Sequence, residues 1–146
     1  MNSNPIPAPP AETPPQAAPQ SRLVLIVEDN PTNSRLAAEM LRAAGHQTLI
    51  AADGATGLKL ARAEAPDLIL TDLQMSGMDG LELVGHLKAD PITASIPVVA
   101  VTAHAMSEHR DAALQAGCCS FITKPFRYRA FLDEISQILR SGQNAN

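Results

Sequence analysis

Leu68-Ile69-Leu70-Thr71-Asp72-Leu73-Gln74-Met75-Ser76-Gly77-Met78-Asp79-Gly80 is the stretch on which the fold turns. Its first residues lack the polar alternation of a half-exposed strand, which marks a strand covered on both faces, as parallel strands with helical crossovers are. The run then stops on a carboxylate, Asp72, and a Gly-containing loop leads to the next helical pattern. The same event recurs three times. Leu23-Val24-Leu25-Ile26-Val27 stops at Glu28-Asp29, Val98-Val99-Ala100-Val101 at Thr102, and Phe121-Ile122-Thr123 at Lys124-Pro125. Ligands of open parallel sheets bind outside the carboxyl ends of the strands, so the four ends deliver three carboxylates, a hydroxyl and an ammonium to one edge.

Outward from these runs, strands and helices alternate. Strands are expected at 23–27, 47–51, 68–71, 97–101 and 119–123, and helices at 31–44, 54–64, 80–89, 105–116 and 127–140. Asn30-Pro31 reads as an N-cap followed by proline at the first helical position, and Gly45 ends that helix. Its apolar face is Leu36, Ala37, Met40, Leu41 and Ala44; the last helix carries Phe131, Leu132, Ile135, Ile138 and Leu139. Crossovers between parallel strands are right-handed almost without exception. The fold class is α/β, a (βα)5 doubly wound five-stranded parallel sheet of order 2-1-3-4-5.

Length and composition bound the rest. The 146 residues suit one domain. Hydrophobic residues make up 45%, enough for a real core, and no run approaches the roughly 20 apolar residues of a membrane span. A net charge of -4 without a basic stripe gives no electrostatic footprint for nucleic acid. Cys118 and Cys119 are adjacent, a spacing that fits neither a metal pair nor a redox CxxC motif; they are expected to be small buried or half-buried thiols beside a strand. His46, His86 and His109 are expected on exposed helix ends or faces. The N-terminus lacks a basic start and an apolar h-region, so no signal peptide is expected and the location is cytoplasmic.

Residues 1–21 are different material. Seven prolines stand among Ala and Gln, and proline fixes φ and supplies no backbone donor. This is expected to be a disordered or polyproline-II-like extension. The organisation is thus 1–21 extension, 22–141 folded domain and 142–146 short flexible tail.

Glu28, Asp29 and Asp72 cannot all ionise within a few ångströms without compensation, because like charges disfavour each other's ionisation. A hard divalent cation resolves the conflict: Mg2+ takes oxygen ligands and is commonly held by one or two carboxylates plus phosphate oxygens. Carboxylates also act as nucleophiles and carry aspartyl phosphate. Asp72, at the end of a central strand, is the natural acceptor. Lys124 would neutralise phosphoryl charge, and Thr102 would donate a hydrogen bond to a phosphoryl oxygen.

The motifs Val-Glu-Asp-Asn (27–30), Asp-Leu-Gln-Met-Ser-Gly-Met-Asp-Gly (72–80), Val-Thr-Ala-His-Ala-Met (101–106) and Phe-Ile-Thr-Lys-Pro-Phe (121–126) resemble the receiver domain of two-component response regulators. The wording is similar to receivers of hybrid kinases and of stand-alone cell-cycle relays. The resemblance implies a flavodoxin-like receiver fold with Asp72 as phosphoacceptor. It implies Mg2+, with Mn2+ tolerated, held by Asp29 and Asp72 directly, by Glu28 through water, and by the backbone carbonyl of Gln74. Thr102 and Phe121 would be switch residues, Gln74 and His104 would tune the phosphoryl lifetime, and the Lys124–Pro125 bond would be cis, which only about 5–6% of X-Pro bonds are. Two departures stand out: Ser76 where the family usually has proline, and Phe121 where many members carry a tyrosine.

The expected function is a single-domain response regulator, a phosphorelay intermediate or a phosphorylation-controlled interaction switch rather than an enzyme. Its donor would be a histidine kinase or histidine phosphotransfer protein. Its output face would be helix 4, strand 5 and helix 5, and its state monomeric or weakly dimeric, without nucleic-acid or membrane partners. The alternatives are a phosphorylation-independent binding module on the same fold, and a Mg2+-dependent phosphohydrolase, for which only His104 could serve as acid–base group.

Overall fold

The computed structural model describes residues 21–75, 77–103, 107–124 and 127–144, with only the backbone at 107–109 and 141–144. The elements run β1 (Leu23–Val27), α1 (Pro31–Ala43), β2 (Gln47–Ala51), α2 (Gly54–Glu64), β3 (Leu68–Asp72), α3 (Gly80–Ala89), β4 (Val98–Thr102), α4 (Ser107–Ala116), β5 (Ser120–Thr123) and α5 (Tyr128–Asn144). The strands form one sheet of order β2-β1-β3-β4-β5, every neighbouring pair parallel. This is the architecture expected from the apolar runs, and β3 and β4 are buried at all five positions.

Alternate residues of each strand feed two cores. Leu25, Val27, Ile69, Val98 and Ala100 meet Ala61 of α2, Leu83, Val84 and Leu87 of α3 and Ala113 of α4. Val24, Ile26, Leu68, Leu70, Val99 and Val101 meet Ala37, Ala38, Met40 and Leu41 of α1 and Phe131, Ile135 and Leu139 of α5. Fully burying a Leu, Ile or Phe side chain contributes about 1.5–3 kcal/mol, so these two layers carry most of the stability.

Local chemistry sets the helix starts. The Asn30 side chain accepts the Thr32 and Asn33 N–H groups at 2.9 and 3.1 Å, with Pro31 at the first position as expected. Asp53 and Asp79 cap α2 and α3 by accepting Thr56 N–H at 2.7 Å and Glu82 N–H at 2.8 Å.

Four expectations need correction. Leu36 is 44% exposed and Ala44 is exposed, because α1 faces the sheet with Ser34, Ala37, Ala38, Met40 and Leu41 instead. His46 is not an exposed helix-end residue: it is buried, and its Nδ1 accepts the Arg22 N–H at 3.2 Å. Cys118 is buried but Cys119 is exposed. Helix α5 continues through Gly142 to Asn144 rather than ending at 140, because its apolar periodicity ends at Leu139 while no proline follows to remove a backbone donor. Ala105 and Met106, expected to open α4, lie outside the described residues, as does the Pro-rich extension at 1–20.

Candidate functional site

Strand register builds the site. Val27 pairs with Thr71, so Glu28 and Asp72, the next residue of each chain, stand level on adjacent strands. Asp72 pairs with Val101 and Thr102 with Thr123, which places Thr102 and Lys124 on the same carboxyl edge. Lys124 is locked there by its own N–H, which donates to the Thr102 carbonyl at 2.8 Å.

The carboxylates expected to hold a metal are together. Glu28, Asp29 and Asp72 each offer a ligand oxygen, and these lie within 4.8 Å of one another. Glu28 and Asp72 are only 6% and 7% exposed, whereas Asp29 is open to solvent. Lys124 reaches between the two buried ones, its Nζ 2.9 Å from Glu28 Oε1 and 3.1 Å from Asp72 Oδ2. The remaining carboxylate oxygens take backbone donors: Asn30 N–H to Glu28 Oε2 at 3.2 Å and Gln74 N–H to Asp72 Oδ1 at 3.1 Å.

These contacts set the protonation chemistry. Burial pushes the Glu28 carboxyl above its ordinary range; the Lys124 ammonium and the Asn30 N–H oppose the rise, and the neighbouring Asp72 charge adds to it. Burial works against the Lys124 charge too, but Glu28 and Asp72 together outweigh it and raise the ammonium's pKa. Lys124 is therefore a firm cation, yet three carboxylates against one ammonium leave the edge net negative. Oxygen-only donors, one of them solvent-facing, fit a hard divalent cation such as Mg2+ that keeps several waters.

Other expected site residues fall as follows. Thr102 is fully buried at the end of β4. Phe121 is half-buried on β5 and packs against the core beneath α2, α3 and α4. Gln74 is exposed, with its N–H on Asp72. His104, Ser76 and Pro125, and with Pro125 the peptide bond expected to be cis, lie outside the described residues. Sequence reasoning read Asn30 as the cap of α1, which its side chain is, but missed that its N–H holds Glu28. The capping pattern was visible; the second contact depends on how the loop folds back.

Residues 24–136 match the response regulator receiver domain family, and the chain belongs to it. Members of this family are phosphoacceptors of two-component signalling, taking phosphate from histidine kinases and acting on downstream partners. Among curated proteins, the chain is similar to the polar-differentiation response regulator DivK of Brucella anthropi, 40% identical over 116 residues that cover 80% of this chain and 94% of the relative. DivK of Brucella ovis is 40% identical over 119 residues, 82% of this chain and 97% of that protein. Among solved structures, a CheY-like receiver domain protein from Methanospirillum hungatei JF-1 superposes with a TM-score of 0.80 at 26% identity, covering 86% and 99% of the two chains. The receiver domain of a sensor histidine kinase from Pseudomonas aeruginosa PAO1, solved with a magnesium ion coordinated in its active-site cleft, gives 0.73 at 33% identity, covering 80% and 95%.

Proposed function

We propose that the protein accepts a phosphoryl group on Asp72 from a phosphohistidine donor, with Mg2+ at Glu28, Asp29, Asp72 and the Gln74 carbonyl. The observation that carries this reading is the meeting of three carboxylates and Lys124 at one strand edge. Bound Mg2+, or Mn2+ in its place, would supply positive charge to the phosphoryl oxygens. In the transfer, an Asp72 carboxylate oxygen attacks phosphorus in line, the P–N bond to the donor imidazole breaks, and its electron pair stays on the imidazole nitrogen. Lys124, already on Asp72 Oδ2, follows the charge onto the phosphoryl oxygens. Thr102 donates its hydroxyl to one of them, Gln74 and His104 tune how long the group persists, and Phe121 responds to the displacement of Thr102.

The output surface in this reading is α4, β5 and α5. A cleft of about 220 Å3 between β5 and α5, lined by Phe121, Ile122, Arg127 and Glu134 among others, is the kind of surface that such a shift reshapes for a downstream protein. The donor is a histidine kinase or a histidine phosphotransfer protein, and the location cytoplasmic. The test is intact mass after incubation with acetyl phosphate. One added phosphoryl mass, requiring Mg2+ and absent from a folded Asp72→Asn variant, is expected. Equal labelling of that variant sinks the assignment.

A further inference from the structure

Gly80 opens α3 immediately behind the phosphoacceptor. Its N–H donates to the Leu73 carbonyl at 3.1 Å, closing the loop that Asp72 begins. A Cβ at this position would stand 2.2 Å from the Asp72 carbonyl oxygen and 2.6 Å from Leu73 Cα. Both are backbone atoms, so no side chain can swing away to make room. The φ of Gly80 is not in the left-handed region; the position needs glycine for space, not for conformational freedom.

We infer that Gly80 is a positioning residue of the phosphoacceptor: the bare first turn of α3 seats against the Asp72 backbone and fixes the direction of its carboxylate. Three contacts converge on the same residue. The Thr71 hydroxyl donates to the Asp72 carbonyl at 3.1 Å, the Gln74 N–H holds Oδ1, and Lys124 holds Oδ2. Any retreat of the Asp72 backbone from a methyl at position 80 pulls on all three. The other glycines differ. A Cβ on Gly85, in the same helix, meets nothing within 4 Å. Gly117, at φ +120 and at the start of the turn into β5, needs glycine for its backbone, and a Cβ there would meet side-chain carbons of Lys88 rather than backbone.

The inference rests on Asp72 being the acceptor, and the experiment separates the two. Phosphorylation by acetyl phosphate is followed by intact mass in the wild type, Gly80→Ala, Gly85→Ala and Gly117→Ala, with the folded fraction of each measured by circular dichroism. Gly117→Ala supplies a destabilised control away from the site. Per folded molecule, Gly80→Ala is expected to lose about tenfold or more, since a misplacement near 1 Å can cost about 10²-fold. The loss should fall on the limiting rate rather than on the donor concentration giving half of it. Gly85→Ala and Gly117→Ala should keep the wild-type rate per folded molecule. A Gly80→Ala rate within about twofold of wild type, corrected for folding, overturns the inference. No labelling of the wild type overturns the proposed function instead. The seat itself is then read by native-state hydrogen exchange in the unmutated protein, a measurement that serves equally if Gly80→Ala does not fold. The Gly80 amide should exchange as slowly as the core amides of α3; exchange as fast as an open loop amide overturns the seat.

Discussion

The two ends of the sheet use polar side chains in opposite ways. At the amino end, several charged and polar groups terminate on backbone. Asp67 accepts the Leu23 N–H at 2.8 Å, His46 the Arg22 N–H at 3.2 Å, Lys88 donates to the Ala94 and Ile96 carbonyls at 3.0 and 2.8 Å, and the Thr93 hydroxyl to the Leu87 carbonyl at 2.7 Å. Each of these closes a loop and leaves the group committed. At the carboxyl end, Glu28 and Asp72 each keep one backbone donor, but their other oxygens are partnered with the Lys124 side chain. A backbone partner cannot leave, whereas a side-chain partner can be exchanged for a metal or a phosphoryl oxygen. The first set of contacts is fixed, the second exchangeable.

Substitutions at each end can break that contrast. The largest effect belongs at the carboxyl end: Asp72→Asn should abolish phosphorylation by acetyl phosphate with little change in the urea midpoint, and a variant that unfolds would make the proposed acceptor a structural residue as well. Next is the core that both ends share. Leu87→Ala, fully buried beneath α3, should cost about 2–5 kcal/mol in chemical denaturation, and a smaller loss would mean that the site collapses around the cavity. At the amino end, Thr93→Val leaves the Leu87 carbonyl without its hydroxyl donor and should cost about 1–3 kcal/mol, with the phosphorylation rate per folded molecule unchanged. A matching loss of that rate would erase the division between the ends.

A fourth, smaller effect depends on pH. Burial, with help from the Arg22 charge, lowers the pKa of His46 from its ordinary 6.5. A depressed histidine favours the folded state while neutral. Its contribution is complete above 6.5 and is lost as pH falls through the lower folded value. Comparing His46→Gln, whose carbonyl can still accept the Arg22 N–H, with wild type in urea melts should remove this part of the acid sensitivity. An unchanged pH profile would assign it elsewhere. The smallest effect is at Leu36: Leu36→Ala should stay within about 0.5 kcal/mol, and a larger loss would mean that α1 packs as its sequence periodicity suggests.

What was legible in the sequence follows from the same physics. Runs such as Val98–Val101, buried without alternation, leave little choice but a two-sided parallel strand, and the residue ending each run is then on the carboxyl edge. Glu28, Asp72, Thr102 and Lys124 were readable in this way. Leu36 was misplaced because periodicity identifies an apolar stripe but not which part of it meets the sheet. His46 was misplaced because its partner, the Arg22 N–H, lies on a neighbouring chain segment. The same limit hid the division of Lys124 between two carboxylates, and the space that only Gly80 leaves open.

The pairing of Val27 with Thr71 has a consequence of its own. In a strand, a slip of one residue sends every side chain to the opposite face. Sliding β1 against β3 by one position would part Glu28 from Asp72, and it would equally drive Leu25 out of one core and Ile26 out of the other. The carboxyl edge thus needs no separate inspection: a chain that passes the test of folding has already passed the test of assembly.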